Sequence, residues 1–128
     1  MRPYEKLVFY QKICEVRKLV YQITKRFPGS HYRLVSQMRD AARSSKQNIR
    51  EGYSRGTAKQ YIQFIRISLG SLDELIGDID DCKEDNLISD KEHSLIKSLG
   101  KAASFLAIRY IESIKNLDAK GQWKTPTC

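Results

Sequence analysis

The chain has 128 residues, 41% of them hydrophobic and 30% charged, which fits one domain with one core and, with no polar low-complexity tract, argues against disorder. Its net charge of +8 is uneven: residues 1–66 hold 15 of the 23 Lys and Arg but 4 of the 15 Asp and Glu, a net of +11 against −3 for the remainder. That asymmetry points to a polyanionic partner for the first half, nucleic acid before membrane, against the plainer alternative of a solvated basic surface.

Residues 1–7 read as a short arm, with Tyr4 and Leu7 placed to pack down. A first helix is predicted over 8–26, where Phe9, Ile13, Val16, Val20, Ile23 and Phe27 alternate spacings of four and three, with Cys14 and Leu19 on the shoulder. Pro28 and Gly29 end it. A second helix is predicted from near His31, with Ser30 as N-cap, to Gly52. Its inner face, Leu34, Met38, Ala41, Ser45, Ile49 and Gly52, is small in the middle, which lets a neighbouring backbone come close. Gly52 and Gly56 are expected to bracket a turn at Tyr53-Ser54-Arg55.

Thr57 followed by Gln60 has the form of a capping box and opens a third helix reaching Glu84, roughly 40 Å long. Ile62, Ile65, Leu69, Leu72, Ile76 and Ile79 form a heptad seam, widened by Tyr61, Phe64, Leu75 and Cys82. Gly70 and Gly77 lie on the side of Lys59, Gln63 and Arg66. A glycine inside a helix costs about 1 kcal/mol against alanine. That face, with Arg66, Gly70 and Gly77, is therefore a candidate subunit contact, the alternative being a tolerated weakness. Asp73, Glu74, Asp78, Asp80, Asp81, Glu84 and Asp85 crowd the end of this helix against its macrodipole. A solvated cluster is the default reading, and a basic partner or a neighbouring copy are the others. Ser89 with Glu92 opens a fourth helix to Leu117, with Leu95, Leu99, Ala103, Leu106, Tyr110 and Ile114 facing inward and Phe105 and Leu117 alongside. Residues 118–128 read as a tail whose Trp123 folds back on the bundle or awaits a partner. The expected fold is all-α, an up-down-up-down antiparallel four-helix bundle over residues 1–117.

Reactive groups do not converge. His31 and His93 are isolated, and no metal-ligating pair, phosphate loop, nucleophile elbow or kinase signature occurs. No catalytic residue, metal or cofactor is expected, and the protein is read as a non-enzyme. Cys14, Cys82 and Cys128 are odd in number and widely spaced, which favours a reducing cytoplasm. Pro3, Glu5 and Lys6 interrupt any signal peptide, and no apolar run approaches the roughly 18 residues of a membrane span.

The sharper signal is cationic. Arg39, Arg43, Lys46 and Arg50, spaced four, three and four, share one strip of the second helix, and Arg55 and Lys59 extend it around the turn. Such a strip can track a phosphate backbone with salt-sensitive affinity. Only Tyr53 and Tyr61 neighbour it, so base stacking and base-edge readout are not indicated. Helices this long and evenly amphipathic do not suit helix-turn-helix readout. Asn48 is expected to make an interhelical hydrogen bond that sets register.

Gln37, the run Asn48-Ile49-Arg50-Glu51-Gly52, and Phe64 with Leu69-Gly70-Ser71-Leu72-Asp73-Glu74-Leu75 resemble the signature of bacterial four-helix-bundle proteins encoded within intervening sequences of 23S ribosomal RNA. The resemblance spans roughly residues 5–117. It implies a ring-shaped homopentamer. Through a more distant similarity to the accessory variability protein of diversity-generating retroelements, it also implies binding of nucleic acid and of a reverse transcriptase. Where the usual pattern runs Val-Ser-Ile-Pro-Ser-Asn-Ile-Ala-Glu-Gly, this chain places Arg43, Lys46 and Arg50 at the Val, Pro and Ala positions. The expectation is a non-enzymatic homo-oligomeric scaffold that binds RNA or DNA, without sequence preference, through Arg39, Arg43, Lys46, Arg50, Arg55 and Lys59. The oligomer-interface candidates are Asn48, Arg66, Gly70 and Gly77; the alternative function is a protein–protein interaction scaffold with no nucleic-acid role, in which the basic surface and the Asp73–Asp85 cluster pair between subunits or with another protein.

Overall fold

Four amphipathic seams converge in this structure, a computed structural model that describes residues 2–124; Cys128 and the tail beyond Lys124 lie outside the described residues. A 3-10 turn at Pro3–Lys6 leads into α1 (Val8–Thr24), α2 (Tyr32–Arg55), α3 (Ala58–Glu84) and α4 (Asp90–Ala119). Each helix packs on its two neighbours, α4 closes the ring onto α1, and among the described residues neither diagonal pair brings its backbones within 8 Å. Among the described residues the fold is all-α, a four-helix bundle.

The α1 seam is buried at Phe9, Ile13, Val16, Val20 and Ile23. The helix stops at Thr24, two residues early, because the amides of Arg26 and Phe27 tighten onto the carbonyls of Ile23 and Thr24 ahead of Pro28. Ser30 is not the cap of α2. It sits in a second 3-10 turn, Gly29–His31, with its hydroxyl 3.4 Å from His31 Nδ1, and His31 takes the cap position without a side-chain bond.

At its other end α2 runs straight through Gly52 and the predicted turn, and ends at Gly56, whose φ of +87° closes the helix in the left-handed region. Gly52 serves packing instead. A Cβ there would stand 2.6 Å from Phe64 Cβ and 3.3 Å from the Tyr61 carbonyl oxygen, so only glycine lets α3 come this near. Serines continue the contact along the pair. Ser68 donates to the Ser45 carbonyl, the Ser45 hydroxyl donates to the Ala42 carbonyl at 2.7 Å, and the Ser44 and Ser71 hydroxyls meet at 2.8 Å. Asn48, expected to bridge the helices, donates within α2 to the Ser44 carbonyl and hydroxyl at 2.9 and 3.0 Å. The shorter Ser44 makes the bridge to α3, because the helices are too close there to need an amide.

α3 has its predicted span. Thr57 accepts from the Gln60 amide at 3.2 Å, and its hydroxyl bonds the Gln60 side chain at 3.0 Å. The Ser89–Glu92 capping box is complete at the start of α4, and Arg26 reaches Glu92 from the end of α1. Those two partners, Arg26 first, hold the Glu92 carboxyl below its usual range. The buried stripe of α4 is turned from the predicted one. Ile96, Gly100, Ala103, Ala107, Ile111 and Ile114 are buried; Leu99, Leu106 and Tyr110 flank them, and Leu95 and Phe105 are exposed. α4 carries more apolar residues than one contact stripe holds, and the small ones win the closest approach. A Cβ on Gly100 would meet Ile76 Cδ1 at 2.7 Å.

Where α1 and α3 begin and α2 and α4 finish, Tyr4, Tyr10, Tyr53, Tyr61 and Tyr110 pack ring on ring. α4 continues past the predicted Leu117 to Ala119, Gly121 turns the chain at φ +67°, and Trp123 lands 5.9 Å from the Tyr61 ring. Trp123 thus folds back on the bundle. Burial raises the phenol pKa of Tyr10, Tyr61 and Tyr110 above the ordinary value. It also pushes the Cys82 thiol up to about 11, leaving Cys82 a small apolar filler against Met38. At the opposite end Asp80 ties α3 to α4, 2.7 Å from His93 Nε2 and 3.0 Å from Lys97 Nζ, and Asp78 accepts from Gln37 of α2 at 3.1 Å. Part of the acidic cluster is therefore structural.

Two outcomes follow for stability, both read from urea unfolding. Gly52→Ala lowers it by about 1–3 kcal/mol through overpacking, whereas Gly70→Ala, at a site with open space within 4 Å, raises it by up to about 1 kcal/mol. The hydrogen bonds from His93 and Lys97 hold Asp80 below its usual pKa. A depressed carboxyl pKa contributes stability that is complete above the unfolded-state value and is lost as pH falls through the folded one. The urea midpoint therefore falls below about pH 4, and Asp80→Asn flattens that fall; Asp78, raised chiefly by burial, works in the opposite sense.

Candidate nucleic-acid interface

Residues 39, 43, 46 and 50 come round once per turn of α2, and the clamp of α2 onto α3 sends them to the other flank, toward α1. There Arg43, Lys46, Gln47 and Arg50 form one wall of a cleft of about 320 Å³, and Arg17 and Tyr21 of α1 form the other. No carboxylate lines it. Among the described residues Arg17, Arg39, Arg43, Lys46 and Arg50 form no ion pair, while Arg26, Arg55, Lys83, Lys97 and Lys115 all do.

The cleft is held in shape by one aromatic ring. Arg17 and Arg39 place their guanidinium carbons 4.7 and 4.8 Å from the Tyr21 centroid. Arg39 Nε also donates to Thr24 Oγ1 at 3.0 Å, and the Thr24 hydroxyl donates to the Val20 carbonyl at 2.7 Å. Stacking and a fixed acceptor reduce the rotamer freedom that long cationic side chains otherwise lose on meeting a ligand.

The six predicted cations do not form one strip. Arg55, at the last turn of α2, points to the α3 flank, donates twice to Glu51 at 2.8 and 3.1 Å, and covers the Phe64 ring at 5.1 Å. Lys59 follows the reversal at Gly56 and lines a different groove, between α3 and α4, with Ile62, Arg66, Ile67 and Lys115. Of the subunit-contact candidates, Arg66 lies in that groove, Gly70 and Gly77 open onto empty space, and Asn48 is half-buried between α2 and α3. Arg17 and Tyr21 were missed from the sequence. Their i, i+4 spacing on the shoulder of the α1 seam was the available signal, but only the packing order shows that this shoulder meets α2.

Among the described residues no group of three or more His, Cys, Asp and Glu is placed to hold a metal ion, and no helix is long and apolar enough to cross a membrane. The chain's relationships agree with its architecture: the profile of the family described as 23S rRNA-intervening sequence protein matches residues 5–107. No curated protein matches the chain.

If Tyr21 holds the cleft together, Tyr21→Ala lowers stability by about 1–2 kcal/mol, about 0.5–1 for each lost cation–π contact. Tyr21→Phe keeps the ring and leaves stability within a few tenths of wild type; thermal melts of the two variants make the comparison.

Proposed function

From the membership of this chain in the 23S rRNA-intervening sequence protein family, whose description names no reaction, we propose that it is a non-enzymatic scaffold that binds RNA or DNA through backbone phosphates. The observation that supports this is the α1–α2 cleft, lined by Arg17, Arg43, Lys46 and Arg50 and by no carboxylate, with Arg39 stacked on the Tyr21 ring beside it. Five like charges that close repel one another, and phosphate oxygens relieve the repulsion while releasing the counterions of the polymer. The reading assigns no base-specific contact, since the ring in the cleft is already engaged by the guanidinium groups of Arg17 and Arg39.

In the same reading the protein is a homo-oligomer, a pentamer by resemblance, and the ring repeats the cleft once per subunit. The distant resemblance to accessory variability proteins extends the reading to a reverse transcriptase as protein partner. A second reading, a protein–protein scaffold, draws on the opposite polarity of the outer faces. Asp73, Glu74, Asp81 and Glu84 are exposed on α3 without an ion pair among the described residues, available to the cations of another copy.

Fluorescence anisotropy with a labelled generic RNA over a series of salt concentrations tests the first reading. With four or five phosphates engaged, log K falls against log salt with a slope of about −3, at roughly −0.7 per phosphate of a single strand. The triple variant Arg43→Glu, Lys46→Glu, Arg50→Glu abolishes binding while light scattering shows an unchanged mass. Salt-independent binding, or binding that survives the triple variant, rules the first reading out. A triple variant that falls apart into smaller species selects the second.

A further inference from the structure

The cations of the α1–α2 cleft stand at two levels. Arg43 and Arg50 are exposed along the rim, whereas Arg17, Arg39 and Lys46 are half-buried between the helices. The inner guanidinium groups do not swing out freely, because Arg17 and Arg39 are stacked on Tyr21 and Arg39 is tied to Thr24. A phosphate therefore reaches the inner level only by entering a cleft of about 320 Å³ between two packed helices.

A double helix is ill suited to that entry. Its persistence length of ~50 nm keeps its phosphates on a stiff convex surface, which meets the rim and stops. Nor can α2 be offered to a major groove ~12 Å wide, since α1 and α3 flank it on both sides. A single strand has neither limit: its backbone bends locally, and successive phosphates turn inward one at a time. The Tyr21 ring already holds the guanidinium groups of Arg17 and Arg39 at 4.7 and 4.8 Å, so a base must compete with both to stack there and is turned outward.

We infer that the α1–α2 cleft is a site for single-stranded nucleic acid, ribo- or deoxyribo-, gripped by its phosphates with the bases facing solvent, and that it discriminates against the duplex. This rests on the phosphate-binding reading given above and adds strandedness to it.

The test uses the full chain with three labelled probes of about 20 units, longer than the ~4–16 nucleotides such a groove covers: oligouridylate, oligothymidylate and a mixed-sequence DNA duplex. At one moderate salt concentration, both single strands bind at least about tenfold tighter than the duplex. Lys46→Gln, which removes an inner charge from a side chain with no ion pair to lose, weakens the single strands severalfold and leaves the duplex unchanged. Arg43→Gln with Arg50→Gln, on the rim, weakens all three. Duplex binding as tight as single-strand binding overturns the inference and leaves the phosphate reading standing, as does a Lys46→Gln variant that weakens every probe equally. Failure of all three probes to bind removes the phosphate reading itself, and this inference with it.

Discussion

The closeness of α2 to α3 governs most of what lies around it. Gly52 rests against Phe64 and the Tyr61 backbone, and Ser44 and Ser45 hydrogen-bond across to Ser71 and Ser68. A helix clamped this tightly along one flank has no freedom to rotate about its axis, since interiors pack at crystal-like density and tolerate little shift. Every other residue of α2 then has its direction decided. Met38, Ala42 and Ile49 fill the core, and Arg39, Lys46 and Arg50 go to the flank that meets α1. The cleft is thus shaped by a contact on the far side of its own helix, made of residues that carry no charge.

Charge placement follows a division of labour. Where helices must be tied at their ends, cation and carboxylate are supplied together: Arg26 with Glu92, and Lys97 and His93 with Asp80. Such surface pairs are worth little individually, about 0–1 kcal/mol, but they position helix ends and caps. The α1–α2 cleft has no such partners, only Tyr21 and Thr24 to offset the mutual repulsion of its cations. Cation–π contact and a hydroxyl acceptor steady a guanidinium without cancelling its charge. The result is a cationic surface that stays ordered and remains unneutralised.

The seams of α1 and α3 were legible because large branched residues recur there at spacings of three and four; Thr57 and Ser89 both marked true starts, though only Ser89 with Glu92 closes a reciprocal box. The α4 face was legible only in part, with Ala103 and Ile114 buried as expected and Leu95 exposed, for the opposite reason. Periodicity weights large residues, while the closest helix contacts select Gly100, Ala103 and Ala107 and displace Leu95 and Leu99 to the side. Gly52 was read as punctuation because glycine more often ends a helix than packs inside one; its neighbour Phe64, twelve residues on, is what settles it. For the site, the four α2 cations could be aligned from spacing alone. Arg55 and Lys59 continued that alignment on paper, but the reversal at Gly56 sends Lys59 to another groove, and Glu51 one turn back captures Arg55. Arg17 and Tyr21 sit on a different helix, and no single-helix periodicity records which shoulder of α1 faces α2.

The ring order of the helices also bears on how a binding cleft and an assembly could coexist. Each helix has its backbone against its two neighbours, so the α1–α2 groove and the α3–α4 groove lie on opposite sides of the bundle. The second groove holds Ile62, Ile67, Lys59, Arg66 and Lys115, and the open positions of Gly70 and Gly77 continue along the same exposed side of α3. An assembly built on that side leaves every cationic cleft facing solvent and repeats it once per subunit, the arrangement in which the proposed phosphate contacts gain from effective concentration. An assembly built on the α1–α2 side does the reverse: it sets five unneutralised cations against a protein surface, and only a matching set of carboxylates makes that contact stable. Asp73, Glu74, Asp81 and Glu84 are exposed on α3, the helix that carries the other groove, and Glu15 and Asp40 are exposed on α1 and α2 themselves. The two arrangements therefore make opposite demands on the cleft: the first keeps it open for the polymer proposed above, and the second closes it with protein carboxylates.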